Sequence, residues 1–220
     1  MRAHEGGGWR LNSGKTIQKG GRNKIGVSKK TSRACRPAAN ERNISPVKVA
    51  RPDHTPSRQP HPSQKTAGIP DLTITAVSPG TDEARALIHG LDTEIAALYP
   101  GTTIQGIDVP EFEMAGGYFI IARQADQALG CGGFRRVDER CAEIKRMFVL
   151  AGARRRGIAR QILRHLEAEV RRRGFRTIVL ETGCNNAAAI ALYEAEGYFP
   201  IPKFLGYVGI PISRCYAKWA

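Results

Sequence analysis

Apolar and polar positions settle into regular periods only from about residue 70 onward. Leu72, Ile74 and Ala76 alternate with Thr73, Thr75 and Val77, the two-residue period of a short strand. After a Pro79-Gly80 turn, Ala86, Leu87, Leu91, Ile95 and Leu98 recur at helical spacing within Asp82–Tyr99, and Pro100-Gly101 stops that helix. Residues 101–115 carry no period and read as irregular. Tyr118–Arg123 and Ala128–Val137 are strand-like on either side of the polar Gln124–Gln127, which predicts an antiparallel hairpin, and Ala142–Leu150 follows as a third strand. Arg155–Arg173 holds the clearest helical stripe, Ile158, Ile162, Leu163, Leu166 and Val170, with Gly174 placed to end it. Arg176–Glu181 reads as a buried, β-branched strand, and Ala187–Glu196 as a short helix closed by Gly197. Tyr198–Ile201 and Ser213–Trp219 are two last strands. The order βα–βββ–α–β–α–ββ predicts a mixed α/β domain over residues 69–220.

Charge separates the remainder of the chain from this domain. The net charge of the 220 residues is +14, but residues 1–68 contribute 15 Lys+Arg against 3 Asp+Glu, and residues 69–220 contribute 19 against 17. The first segment is rich in Gly, Pro, Ser, Lys and Arg, has Trp9 as its only Phe, Trp or Tyr, and scatters its apolar residues without a period. Such a composition buries too little apolar surface to offset its ordering entropy, so residues 1–68 read as a disordered basic extension. Gly14-Lys15-Thr16 looks like the end of a phosphate loop, but position 9, where that motif needs Gly, is Trp, and no strand precedes it. Three roles remain open for the extension: weak, charge-driven nucleic-acid binding, a targeting segment, or a dispensable stretch upstream of the true start.

No run approaches the ~18 apolar residues of a membrane span, and no apolar leader is present, so a cytoplasmic, non-membrane protein is expected. Five cysteines, an odd number with no Cys-x-x-Cys pair, argue against a zinc ribbon or a disulfide framework. The histidines suggest no metal site, and Cys184 has no nearby His in sequence to make it a nucleophile.

The informative unit is the strand–loop–helix Glu143–Arg173. Its loop runs Ala151-Gly152-Ala153, then Arg154-Arg155-Arg156-Gly157-Ile158-Ala159, into the long helix. A helix start exposes backbone N–H groups without internal partners and carries partial positive charge. The small Gly157 and Ala159 let a ligand approach the backbone, and the arginines add donors, so the unit suits a pyrophosphate as well as it suits a plain basic helix start on a solvated face.

Arg154-x-x-Gly157-x-Ala159 resembles the [QR]-x-x-G-x-[GA] signature of the GCN5-related N-acetyltransferase (GNAT) superfamily, in the same context after a strand and opening a helix. Asn186-x-x-Ala189-Ile190-x-Leu192-Tyr193-x-x-x-Gly197-Tyr198 resembles that family's N-x-x-A-x-x-L-Y-x-x-x-G-[FY] segment. The likeness covers roughly residues 70–219 and is strongest to small bacterial members; Ala151 stands where many of them have Pro.

The resemblance implies the GNAT acyl-CoA N-acyltransferase fold, a central mixed twisted sheet flanked by helices. It implies acetyl-CoA as acyl donor, no metal, and N-acetylation of a primary amine. The pyrophosphate would take backbone N–H groups from Arg155, Arg156, Gly157, Ile158, Ala159 and Arg160, next to Arg154. The strands matching Ala142–Leu150 and Arg176–Glu181 would splay, leaving Phe148 and Val149 as backbone partners of the pantetheine arm, with Asn186 on its other side. Asn186 is equally suited to capping the helix that starts at Ala187.

An amine with pKa near 10 needs a base before it can attack at neutral pH. The resemblance places Glu143 in that role and Tyr193 as the acid that protonates the departing thiolate. A backbone N–H at Phe148 or Val149 would steady the oxyanion. Strand alternation sets Glu143, Lys145 and Met147 on one face, where Glu143 is equally suited to an ion pair with Lys145. The other reading of Tyr193 is core packing beside Leu192.

Acceptor choice in the family falls to segments matching Leu91–Val109 and Ile201–Ser213. Asp108, Glu111 and Glu113 there offer an acidic entrance for a cationic amine, and Phe204 and Tyr207 either line the site or pack at the turn. The expected partner is a small-molecule amine, with a homodimer through the last strand left open. The alternative reading is an inactive, GNAT-like binding or regulatory protein whose basic extension binds nucleic acid.

Overall fold

A computed structural model describes residues 71–102 and 106–220. The basic extension, with its Gly14-Lys15-Thr16 triplet, lies outside the described residues. The elements are β1 (Leu72–Ala76), α1 (Asp82–Leu98), α2 (Val109–Met114), β2 (Tyr118–Gln124), β3 (Gln127–Arg136), β4 (Cys141–Val149), α3 (Ile158–Arg172), β5 (Thr177–Gly183), α4 (Ala187–Ala195), β6 (Phe199–Ile201) and β7 (Ser213–Trp219). The strands form one sheet in the order β1-β2-β3-β4-β5-β7-β6, with β4–β5 the parallel pair. β7 enters between β5 and β6 and pairs with both. This is the mixed α/β architecture that the periodicity predicts.

Two boundaries differ from the sequence reading. Residues 101–115 are not wholly irregular, because α2 occupies Val109–Met114. Asp108 caps it by accepting from the Glu111 N–H at 2.8 Å, and Pro110 sits in its first turn. Six residues are too few to display a helical period, but the Asp-x-Pro start was a usable signal. α3 begins at Ile158 rather than Arg155, because Arg155 (φ 63°) and Gly157 (φ 82°) are left-handed and cannot continue a right-handed helix.

Each sheet face buries its own apolar cluster. α3 and Tyr193 of α4 close over Ile120, Phe134, Ile144 and Leu180 on one face. Ala84 and Leu87 of α1 and Phe112 of α2 close over Phe119, Ile121 and Phe148 on the other.

The feature that positions the site is a gap between β4 and β5. Their pairing runs from Cys141↔Thr177 to Ile144↔Leu180 and stops, while β4 continues to Val149 and β5 to Gly183. A bulge lies just past the last pair. Arg146 has φ 59°, and the β3–β4 register steps from Gly133↔Lys145 to Cys131↔Phe148, so Arg146 and Met147 together oppose Gly132. The extra residue breaks the alternation expected of this strand. Glu143 and Lys145 stay on one face, but Met147 turns to the α3 side, where it packs against the core containing Ile162 and Leu166.

Candidate active site

The gap opens into a cavity of about 240 Å³. Leu91, Ile95, Leu98 and Tyr99 wall it from the α1 face, and Asn186, Ala189 and Tyr193 of α4 from the α3 face. Lys145 and Arg146 of β4, Glu181 of β5, and Tyr207, Ile210, Ile212 and Ser213 from the β6–β7 connection and the start of β7 complete it. Parting two paired strands is unfavourable unless the freed backbone groups find partners, so the gap is where a ligand with amide groups fits the fold.

Two carboxylates stand on either side of the point where pairing ends. Glu143 is fully buried at the root of the gap and is not among the cavity's lining residues. Its Oε2 accepts from Arg135 Nε at 2.7 Å. Its Oε1 accepts from Tyr207 Oη at 2.6 Å and from Lys145 Nζ at 3.2 Å. Lys145 also donates to Tyr207 Oη at 2.7 Å, which closes the cluster. Burial pushes the Glu143 carboxyl upward, but the Lys145 ammonium, the Tyr207 hydroxyl and the Arg135 guanidinium outweigh it and hold the group below the ordinary carboxylate range. Glu181 lines the cavity. Burial raises its carboxyl above the ordinary range, with the Ser213 hydroxyl and Lys145 pulling it partly back and Glu143 adding to the rise.

Tyr193 is buried, lines the cavity, and meets Tyr198 edge-on at 5.7 Å between ring centres. Burial, with the Glu181 charge adding to it, raises its phenol well above the ordinary value, so the hydroxyl keeps its proton. Asn186 both caps α4, accepting from the Ala189 N–H at 3.3 Å, and lines the cavity. Tyr99 ties the two walls together. Its hydroxyl accepts from the Asn185 N–H at 2.7 Å, and its ring lies so close over Gly183 that a Cβ there would sit 2.2 Å from the phenol oxygen.

At the start of α3, the first-turn N–H groups have no acceptor one turn back and no side-chain cap, and a Cβ on Gly157 would point into open space. The neighbouring arginines differ. Arg154 donates to the Val149 carbonyl at 2.9 Å and pairs with Glu94 of α1. Arg156 reaches Gln124 at 2.6 Å, and Arg160 pairs with Glu196 at 2.6 Å. Arg155 is exposed and makes no ion pair among the described residues. Of the two expected backbone partners on β4, Leu150 N–H bonding to the Leu129 carbonyl turns Phe148 toward β3 and Val149 toward the gap. The Phe148 ring is buried under α1.

Comparison with known proteins follows the same line. A family model described as "Acetyltransferase (GNAT) family" matches residues 91–198. An IAA acetyltransferase of Azospirillum brasilense is 34% identical over 151 residues, 68% of this chain and 99% of that protein. The chain belongs to the GNAT acetyltransferase family. Membership makes it an acetyl-CoA-dependent N-acyltransferase by class. A Klebsiella pneumoniae structure provisionally described as an acyl-CoA N-acyltransferase aligns with TM-score 0.58 and 31% identity, over 67% of this chain and 97% of that one. A GNAT acetyltransferase from Elizabethkingia anophelis with acetyl-CoA bound shares the fold at TM-score 0.50 and 16% identity, over 69% of this chain and the whole of that one.

Within this GNAT domain the residues expected at an acidic entrance stand outside the β4–β5 cavity. Asp108 caps α2, Glu113 accepts from Ser78, Glu111 is exposed, and none of the three lines the cavity at the gap. Tyr207 does line it, whereas Phe204 is buried behind, edge-on to Tyr207 at 5.3 Å. Glu181, Lys145 and Tyr99 are cavity residues that the sequence reading passed over. The only sequence signal for Glu181 was a lone acid closing a β-branched strand, five residues before Asn186. Among the described residues no group of three or more His, Cys, Asp or Glu is placed to hold a metal ion, and no helix is long and apolar enough to cross a membrane.

Proposed function

We propose that this chain transfers an acetyl group from acetyl-CoA to the primary amine of a small acceptor, which meets the donor in the β4–β5 gap. The observation that carries the reading is one cavity, open at a splayed strand pair, that brings Glu181, Tyr193 and Asn186 together, while β4 of that pair leads in sequence to the uncapped start of α3. The residues fit the donor. The first-turn N–H groups of Ile158, Ala159 and Arg160, with Arg155 above them, would hold the pyrophosphate. The Val149 backbone and the Asn186 side chain would hold the amides of the arm along the gap. Arg154 has a different task, fixing the loop to Val149 and Glu94. Bound there, acetyl-CoA supplies an activated thioester.

The remaining chemistry is proton transfer by the chain. We assign the base to Glu181 rather than to Glu143. Glu181 reaches the cavity with a raised carboxyl, while Glu143 is saturated by Arg135, Lys145 and Tyr207 and lies outside the lining. Tyr193, held protonated by burial, is the donor for the leaving thiolate. The Val149 N–H, on the gap side of β4, is the donor available to an oxyanion.

Calorimetric titration of acetyl-CoA into the full chain tests the reading. Micromolar binding is expected, and Gly157→Glu, whose carboxylate enters the phosphate position, should weaken it by about a hundredfold or more. Gly157→Ala carries the same backbone strain at φ 82° without the charge, and should bind far better than the Glu variant. Absence of binding by the unaltered chain would overturn the proposal.

A further inference from the structure

Lys145 is a charged part of the cavity lining that N-acetylation of a plain amine leaves unused. It lies on the face of β4 that carries Glu143, and its side chain is 17% exposed. An ammonium has three N–H donors. Here one goes to Glu143 Oε1 and one to Tyr207 Oη, and the third has no partner among the described residues. Around it Arg135 and Lys145 face the buried Glu143, and Glu181 in the same cavity is a second carboxylate within the field of Lys145, so the charges match while no acceptor is bound. An ammonium acceptor that engages Glu181 removes that match and leaves Lys145 with an unused donor and an unmatched positive charge. An ammonium acceptor entering alone would be repelled by it. The same cavity offers Glu181 as a second, negative pole. Between the poles the α1 and β7 sides supply Leu91, Ile95, Leu98, Ile210 and Ile212. At about 240 Å³ the space lies below the roughly 300–1,000 Å³ of typical small-molecule pockets.

Resting on the N-acetylation reading above, we infer that the acceptor is an α-amino acid with an apolar side chain, its amine at Glu181, its carboxylate on the third donor of Lys145, and its side chain against the α1–β7 wall. The carboxylate replaces Glu181 as the counter-charge of Lys145 once the amine has engaged Glu181. Tyr207 is a positioning residue: bonded to both Glu143 and Lys145, it fixes the ammonium that reads the carboxylate. A zwitterion then enters with both charges matched, whereas an amide or a plain alkylamine leaves Lys145 without its counter-ion.

The test measures kcat/KM by thiol release for L-leucine and L-phenylalanine against L-leucinamide and L-phenylalaninamide, with acetyl-CoA and the full chain. The free acids should be preferred by roughly ten- to a hundredfold, the effect of one hydrogen bond to a charged group. In Lys145→Met the acid-to-amide ratio should collapse toward one, and in Lys145→Arg it should be largely kept. Calorimetric acetyl-CoA binding by each variant shows that it is folded. If amides are acetylated as well as acids, or if the ratio survives in a folded Lys145→Met, the carboxylate subsite is wrong while N-acetylation stands. If no amine in this set or in a wider amine panel is acetylated although acetyl-CoA binds, the N-acetylation reading falls, and the subsite with it.

Discussion

Glu143 and Glu181 sit on neighbouring strands on either side of the last β4–β5 pair, yet their surroundings push them in opposite directions. At the closed root of the gap, Glu143 is buried among three donors and held below the ordinary carboxylate range. Just past the last pair, Glu181 meets weaker compensation and is raised above it. Desolvation is the largest influence in both places, and the number of charge partners decides its outcome. A saturated carboxylate braces a fold, and an undersupplied one at a cavity is suited to moving protons.

The sharpest way to break this contrast is Glu181→Gln, which should lower kcat by about 10²–10⁴-fold with acetyl-CoA binding kept. In the unaltered chain, activity should fall as pH drops through the raised Glu181 value, since the base must be ionised, and this acidic limb should be missing in the variant. A retained limb would return the base role to another group. Glu143→Gln should act on stability instead, costing about 3 kcal/mol in denaturant unfolding because Arg135 and Lys145 lose a buried counter-charge, and its pH–rate profile should keep the acidic limb.

The two groups also predict opposite linkage. Glu143, depressed in the folded state, contributes stability that is present above its unfolded value and lost as pH falls through its folded one. Glu181, raised, contributes stability that is present below its unfolded value and lost as pH rises through its folded one. Chemical denaturation across the acid range, repeated in each Gln variant, separates the contributions.

Smaller effects sharpen the picture. Tyr193→Phe should reduce kcat by roughly tenfold to a hundredfold and leave acetyl-CoA affinity nearly unchanged. An unaltered kcat removes it from proton transfer and leaves it to pack against Tyr198. Tyr99→Phe should cost about 1 kcal/mol, the loss of the acceptor for the Asn185 N–H, read as a shift in the unfolding midpoint.

The amino-acid sequence by itself determined the parts of this molecule that are local. Among the described residues, seven strands and three of the four α-helices follow from periods and breakers, and the expected cofactor edge is contiguous from Arg154 to Arg160, so its spacing could be matched to a family. The short α2 escaped because six residues hold no period. The acceptor side was decided only by tertiary structure. Its lining comes from α1, β4, β5 and the β6–β7 connection, and no run of residues encodes that meeting. The bulge at Arg146 overrode the two-residue alternation that was to set Met147 beside Glu143 and Lys145. The choice between two similar acids turned on burial and on partners: Lys145 and Arg135 on β4 and β3 with Tyr207 from the β6–β7 connection for Glu143, and the open gap for Glu181. Charge in a protein interior is set by neighbours in space, and those are fixed only when the strands have paired and parted.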